Sequence, residues 1–277
     1  MMTQAEKAKL FRDLHQVDPT KGRPLLLLPN AWDVASARVF EDAGFPAIGT
    51  TSAGVAAVFG YPDGQRVSRD LMLEMVKRIA ESVAIPVSAD VEAGYGDALL
   101  TAVKVMDAGA IGINLEDLVD EPSATLAGLT EQTAMIRSIR AQTNLVINAR
   151  TDIFLAGIGD AATRLERTVE RLNAYREAGA DCLFAPGVRD AETIGKLAQG
   201  VKGPLNILAV AGTPPIAELQ RLGVARVSIG SGAMRATLGL TRRIAKELLE
   251  QGTYSTMLEG ALSYAEVNAM LGRRLGD

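Results

Sequence analysis

The chain has one cysteine and one histidine among 277 residues, and that scarcity removes much of the usual side-chain chemistry. The lone Cys182 excludes an internal disulfide and fits a reducing, cytoplasmic compartment. Cys182 and His15 together cannot build a Cys/His zinc site. A Ser-His-Asp triad would depend on a histidine in a charged N-terminal segment. A bound metal must then be held by oxygen, which favours Mg2+ or Mn2+. Aromatic residues amount to only 4%, so Ala, Gly, Val and Leu must fill the core, as suits helices packed closely on a parallel sheet. A basic excess is missing too: 29 Lys and Arg face 33 Asp and Glu. No Lys/Arg block interrupts the chain, so there is no nucleic-acid footprint. The longest apolar runs, such as PLLLLP at 24–29, are strand-sized and fall well below the roughly 20 residues of a membrane helix, so no membrane partner is expected. The opening MMTQAEKAKLFRDL reads as a charged helix without the apolar stretch of a signal peptide.

What is present is a rhythm. Runs at 24–29, 46–51, 85–90, 111–116, 145–150, 182–186, 205–210 and 226–230 read as strands. Their continuous apolar character, without strict alternation, predicts a parallel sheet covered on both faces. Amphipathic stretches lie between them. In 69–83, Leu71, Met75, Val76 and Ile79 share a face, as do Leu165, Val169 and Leu172 in 160–180. Four junctions repeat one form: EDAGFPAI (41–48), MDAGAIGI (106–113), REAGADCL (176–183) and QRLGVARV (220–227). In each, a glycine in the left-handed conformation stops a helix before the next strand. Eight such units without a linker predict one α/β domain over 1–277, a (β/α)8 TIM-type barrel with a C-terminal helical extension from about residue 240. A doubly wound sheet is the alternative, but LLPNAWD after the first strand is no GxGxxG.

In a (β/α)8 barrel the active site lies at the C-terminal ends of the strands. There the chain places Thr50 to Gly54 after the second strand and Asp90 and Glu92 at the third. Glu116 and Asp117 end the fourth, and Asn148, Arg150 and Asp152 the fifth. Residues two apart on a strand share a face, so Asp90 with Glu92, and Arg150 with Asp152, are expected in one mouth. Crowded carboxylates resist ionisation unless a cation neutralises them. A divalent ion does this and leaves positions for substrate oxygens. The plainer reading of such an acid is a helix cap, which suits Asp97 before ALLTAVKVM, while Asp117 can point into the barrel wall. Cys182, in the body of the sixth strand, reads as a small core residue. Asn30 and Trp32, just past the first strand, are candidates to line the pocket.

The stretches SADVEAGYGD (88–97), GINLED (112–117) and NARTD (148–152) resemble the isocitrate lyase/phosphoenolpyruvate mutase superfamily, with order and spacing agreeing from about residue 24 to 235. The resemblance implies a Mg2+ site in which Asp90 touches the metal, while Glu92 and Glu116 hold it directly or through water. It implies that Arg150 pairs with a substrate carboxylate or enolate oxygen, and that backbone N–H groups around Thr51, Ser52 and Ala53 grip a carboxylate. Asp63, in GYPDGQRVS (60–68), matches the water-binding acid of a mobile gating segment. Members are commonly tetramers that exchange a C-terminal helix, so a homo-oligomer, dimer or tetramer, is implied here.

The departures narrow the chemistry. Isocitrate and 2-methylisocitrate lyases carry a Lys-Lys/Arg-Cys-Gly-His loop after the fourth strand, whose cysteine is the catalytic acid/base. Here EDLVDEPSATLAGLTEQ (116–132) is shorter and holds neither Cys nor His. The phosphonopyruvate-processing members have Asn in that loop and His after the sixth strand, where this chain reads EPSAT and FAPG. The expectation is a Mg2+-dependent lyase that cleaves a C–C bond of a small 2-oxo or 2-hydroxy carboxylic acid through a metal-stabilised enolate, by decarboxylation or retro-aldol cleavage. Arg150, Glu116 and Asp63 are the candidate catalytic residues, Glu116 as base, with Tyr95 considered as an acid. The alternatives are a P–C bond enzyme of the phosphonopyruvate/phosphoenolpyruvate type and a non-catalytic 2-oxo-acid binding protein. No lysine falls at a strand end, which removes a Schiff-base aldolase. GSGAMRA (230–236) leaves room for a phosphate cradle after the eighth strand.

Overall fold

The computed structural model describes residues 2–17, 23–120 and 123–273. All eight expected strands form, each shorter than its apolar run: β1 (Leu26–Leu28, continued as Asn30–Ala31), β2 (Ile48–Thr50), β3 (Val87–Asp90), β4 (Gly112–Glu116), β5 (Val146–Arg150), β6 (Cys182–Phe184), β7 (Leu205–Leu208) and β8 (Arg226–Ser228). They pair in parallel with their sequence neighbours, and β8 returns to β1. Closure turns on Pro29. Its nitrogen has no hydrogen to donate, and β1 breaks there. The lower piece, Leu26–Leu28, pairs with β8, while the upper piece, Asn30–Ala31, pairs with β2. The four repeat glycines do what their position required: Gly44, Gly109, Gly179 and Gly223 have φ of +89°, +89°, +112° and +91°, a region that a side chain disfavours.

The strands differ from the expected two-sided apolar ribbons. They alternate. Val87, Ala89, Ile113, Leu115, Ile147, Ala149, Leu183, Ile207 and Val227 belong to the main apolar core under the helices. Their neighbours Ser88, Asp90, Asn114, Arg150, Phe184, Leu208, Arg226 and Ser228 line a cavity in the barrel. Barrel interiors of this class are usually filled by branched aliphatic side chains; here the inner face is polar over most of its upper half. Below it, helix Gln4–Leu14 closes the floor, with Ala8 and Phe11 packed on Leu26, Leu28, Ala47, Ile111 and Val146.

The helices follow their periodicity with small shifts. In Arg69–Ser82 the buried face holds Met72, Met75, Val76 and Ile79, while Leu71 is only half-buried. In Arg164–Glu177 Leu172 is buried as expected, but Thr168 and Tyr175 take the inner positions and Leu165 and Val169 lie half-buried. Asp97 caps Ala98–Asp107 by accepting from the Leu100 N–H at 2.9 Å. A hairpin, Leu118–Asp120 against Thr125–Leu126, follows β4 where no strand was expected. The C-terminal extension is helix Gly232–Gln251 and two shorter ones, Ser255–Leu258 and Tyr264–Gly272. The last packs on Val34–Asp42 of its own chain, where Arg38 Nη2 donates to the Arg273 carbonyl at 2.6 Å and Arg273 pairs with Asp42. Leu249 and Tyr264 stay 88% and 87% exposed. Among the described residues no helix is long and apolar enough to cross a membrane.

Candidate active site

The cavity at the C-terminal ends of the strands has a volume of about 200 Å³. Asp90, at the end of β3, is held by three hydrogen bonds. Its Oδ2 accepts the Ser52 N–H at 2.9 Å, its Oδ1 accepts from Asn114 Nδ2 at 2.8 Å, and its own N–H donates to Thr50 Oγ1 at 2.9 Å. Asn114 is held in turn by Asn148 Nδ2, which donates to Asn114 Oδ1 at 2.7 Å. Two asparagines on consecutive strands thus aim one carboxylate. The segment after β2 is a helix rather than a plain loop. Ser52–Val58 begins there with Thr51 as its N-cap residue; the Thr51 side chain makes no cap bond, the Thr51 N–H donates to the Ala31 carbonyl at 3.0 Å, and Asp90 takes the Ser52 N–H. A helix start leaves first-turn N–H groups without intrahelical acceptors, and Thr51, Ser52 and Ala53 all line the cavity.

Arg150, at the end of β5, is fixed from two sides. Nη1 lies 2.7 Å from Glu116 Oε2 and Nη2 lies 2.8 Å from Asp152 Oδ1. Nε donates to the same Asp152 oxygen at 2.9 Å, and the guanidinium stands 5.9 Å from the Phe184 ring centroid. Burial works against its charge, but Glu116, Asp152 and Asp90 more than offset this and raise its pKa. Glu116 and Asp152 are held above the usual carboxylate range. Burial is the main cause in both, neighbouring acids add to it, and Arg150 opposes it.

Glu92 reaches the site by another route than strand alternation. β3 ends at Asp90, and Glu92 itself adopts φ +50°, opening a turn with Gly94 at +98°, Tyr95 at +53° and Gly96 at +83°. Left-handed backbone at Glu and Tyr costs energy, and hydrogen bonds hold it. Glu92 Oε1 accepts from Tyr95 OH at 2.7 Å, and Oε2 accepts the Gln65 N–H at 2.6 Å. Gln65 Oε1 accepts the Tyr95 N–H at 2.6 Å. The segment carrying Asp63 is thereby latched over the site, and Asp63 lines the cavity. Burial, followed by the nearby Asp90 and Asp63, pushes the Glu92 pKa up to about 7 against the pull of Tyr95 and Gln65.

Of the residues expected from sequence, Thr51, Ser52, Ala53, Asp63, Asp90 and Arg150 line the cavity. Glu92 and Glu116 are not among the lining side chains; they are buried beside it, 4% and 7% exposed. Among the described residues no three Asp, Glu, His or Cys side chains are close enough to ligate one ion together. Asp117 belongs to the wall. It is fully buried and accepts from Tyr175 OH at 2.7 Å, Arg171 Nε at 2.9 Å and the Asp152 N–H at 3.0 Å. Cys182 is buried inside the barrel, where burial pushes its thiol up to about 11. Asn30 lines the cavity and accepts the Ile229 and Gly230 N–H groups at 2.9 Å each, so one donor of the glycine segment after β8 is already used. Trp32 is half-buried outside the lining. Arg226 and Ser228 were not anticipated, although their alternation with Val227 was readable.

A closed parallel barrel with an aimed carboxylate and a clamped arginine at its strand ends defines an enzyme of the TIM-barrel class. The sequence profile of the phosphoenolpyruvate phosphomutase family matches residues 11–249, and the chain belongs to that family, within the isocitrate lyase/phosphoenolpyruvate mutase superfamily of lyases and mutases. Oxaloacetate decarboxylase 2 of Pseudomonas putida (strain W619) is 31% identical over 89% of this chain and 81% of its own. A crystal structure from Burkholderia cenocepacia J2315 superposes with a TM-score of 0.88 at 34% identity, covering 98% of both chains. That of 2,3-dimethylmalate lyase gives a TM-score of 0.80 at 27% identity, over 98% of this chain and 96% of that one.

Proposed function

We propose that this chain is a Mg2+-dependent lyase that breaks a carbon–carbon bond of a small 2-oxo or 2-hydroxy carboxylate, with loss of CO2 from a 2-oxo acid as the favoured reaction. The observation that carries the reading is the pairing of Asp90, aimed into the cavity by Ser52 and Asn114, with Arg150, clamped by Glu116 and Asp152. The relatives support it in kind, since a decarboxylase of oxaloacetate and a lyase of dimethylmalate both divide small carboxylates.

The donor set fits a hard cation. It consists of carboxylate oxygens, and Glu92 and Glu116 are acids whose charge the fold alone disfavours, a cost that a nearby cation offsets. Asp90 would hold the ion directly and Glu92 and Glu116 through water, since the three are not placed to ligate one ion together, an arrangement suited to Mg2+, which keeps much of its hydration shell. When bound, the ion supplies a Lewis acid beside the keto oxygen.

The chain's own groups do the rest. Arg150 and the Ala53 N–H in the first turn of Ser52–Val58 bind the carboxylate and orient the keto group; the Thr51 and Ser52 N–H groups are already taken by the Ala31 carbonyl and by Asp90. The fixed Arg150 guanidinium meets the negative charge that develops as the bond breaks, without reorganising. Leu155 and Phe184 line the same cavity and limit water there. For a 2-hydroxy acid, Glu116 receives the hydroxyl proton. Decarboxylation is favoured because CO2 leaves without a proton from the protein, and strong acids are scarce. Cys182 is a buried thiol, His15 lies in the floor, and Tyr95, its pKa raised by burial and by Glu92, keeps its proton in the bond to Glu92. Exposed Leu249 and Tyr264 on the C-terminal helices support a homo-oligomer.

The test is proton NMR of the protein with oxaloacetate, 2-methylisocitrate, isocitrate and phosphonopyruvate in separate tubes, with Mg2+ or with EDTA. Product from a C–C substrate above the metal-only background, lost with EDTA, is the expected result. Turnover of phosphonopyruvate alone would replace the reading with P–C chemistry, and no product in any tube would leave a binding protein.

A further inference from the structure

Arg226 is a buried cation without an anion. It sits on the inner face of β8, 2% exposed, and its Nε and Nη1 are buried with no hydrogen-bond partner. Among the described residues it forms no ion pair; its guanidinium carbon lies 5.9 Å from the Phe11 ring centroid, and the carboxylate whose charge reaches it, Asp90, is already hydrogen-bonded to Ser52 and Asn114. Nothing in the floor compensates it. Phe11 seals the lumen below, and His15 beside it donates Nδ1–H to the Phe11 carbonyl at 2.7 Å, leaving Nε2 unprotonated.

Removing a guanidinium from water without a partner is expensive. Arg150 shows how this fold satisfies one, with two carboxylates. Arg226 has none, yet it lines the same cavity as Asp90 and Arg150. Other unsatisfied groups lie on the same inner face: Ser88 Oγ and Asn148 Oδ1 are buried without partners. The guanidinium presents forked N–H donors matched to two oxygens of one carboxylate. The anion that completes it must come from solution through the mouth.

We infer that Arg226 makes the floor of the cavity an anion subsite that takes one carboxylate group, so that ligands enter the barrel carboxylate-first and are held from below as well as from the rim. For turnover this deepens the reading above: the substrate carries a carboxylate for Arg226 in addition to the oxygens met by Arg150, which makes it a dicarboxylate. The binding claim itself is independent of catalysis.

The experiment uses the full chain in EDTA, so that no metal contributes. Thermal unfolding is followed against formate, with chloride at matched ionic strength as reference, for the parent, Arg226→Met and Arg226→Lys. Formate should stabilise the parent in a saturable way that chloride does not reproduce. Lysine, a point charge without the fork, should weaken formate by about tenfold, and methionine should abolish the effect. Without any anion, Arg226→Met should melt at or above the parent, because it removes an unpaired buried charge. Equal formate responses in parent and Met variant, stabilisation by chloride as great as by formate, or an Arg226→Met chain that melts below the parent would each overturn the inference. If the NMR test finds turnover, Arg226→Met should raise KM at least tenfold with little change in kcat; a fall in kcat at unchanged KM would overturn the dicarboxylate assignment. Absence of turnover with an intact formate response would sink the lyase reading and leave the anion subsite standing.

Discussion

His15 offers a quantitative check on the sealed floor of the barrel. Its ring is 3% exposed, and its Nε2 is buried without a partner. Burial, with Arg226 adding to it, pushes its pKa from 6.5 down to about 4, so the native ring stays neutral where the unfolded chain's histidine is already protonated. Because the folded pKa lies below the unfolded one, this stability is complete above about pH 6.5 and is lost as the pH falls toward 4. At about 1.4 kcal/mol per unit, the whole gap bounds the loss at about 3 kcal/mol, of which roughly 2 kcal/mol should be gone by about pH 5. Glu92 and Glu116, whose pKa values are raised by burial, act in the opposite sense and gain stability on acidification. The assay must therefore be a difference. Urea unfolding of the parent and of His15→Asn, whose amide can keep the bond to Phe11, is measured at about pH 7.5 and about pH 5. Over that interval the parent should lose roughly 2 kcal/mol more than the variant. Equal losses would refute the neutral-histidine account and with it the dry floor beneath Arg226.

Glu116→Gln removes one of the two acids that clamp Arg150 and one of the proposed cation's holders. Mg2+-dependent turnover should fall by about a hundredfold or more, with the fold retained by circular dichroism; full activity would remove Glu116 from the chemistry. Asp117→Asn leaves three donors around a weaker acceptor, and urea unfolding should show a loss of about 3 kcal/mol; an unchanged midpoint would mean that Arg171 and Tyr175 are satisfied without the charge. The alternation of the strands separates two kinds of damage. Ile113→Ala, on the outer face, should cost about 2–4 kcal/mol of stability while the surviving folded enzyme keeps its activity. Asn114→Leu, one residue on and facing inward, should spare most of the stability and cost activity by freeing Asp90; the reverse pattern in a paired unfolding and NMR assay would contradict the assignment of faces.

The eight strands were legible because a barrel strand packed under helices keeps at least one face apolar, and the four left-handed glycines marked where each helix had to stop. The polar lumen was legible too, although the runs read as continuously apolar and without strict alternation. In INLE, INAR and RVS the apolar letters belong to the outer face and the polar ones to the inner. Counting composition along a run hides a period of two, which only comparison between strands brings out. Glu92 was placed in the site by a rule that does not apply to it, since the strand had already ended and the residue arrives through a left-handed turn latched by Gln65 and Tyr95. Asp117's partners, Arg171 and Tyr175, lie 54 and 58 residues further along the chain. No local pattern in a single sequence predicts that pairing.

The same alternation explains how one short strand serves both stability and chemistry. Each inner polar group is desolvated by the outer apolar layer, and the fold must satisfy it from within the ring: Asp90 by Ser52 and Asn114, Asn114 by Asn148, Arg150 by Glu116 and Asp152. These bonds run around the barrel and fix the donors before any ligand arrives, which is what electrostatic preorganisation requires. Where the ring of partners is incomplete, at Arg226, Ser88 and Asn148 Oδ1, the fold carries an unmet desolvation penalty that packing alone would have eliminated with a leucine. A residue costly to keep and simple to replace points to a ligand, and here Arg226 and Ser88 line the cavity that opens to solvent beside Asp90.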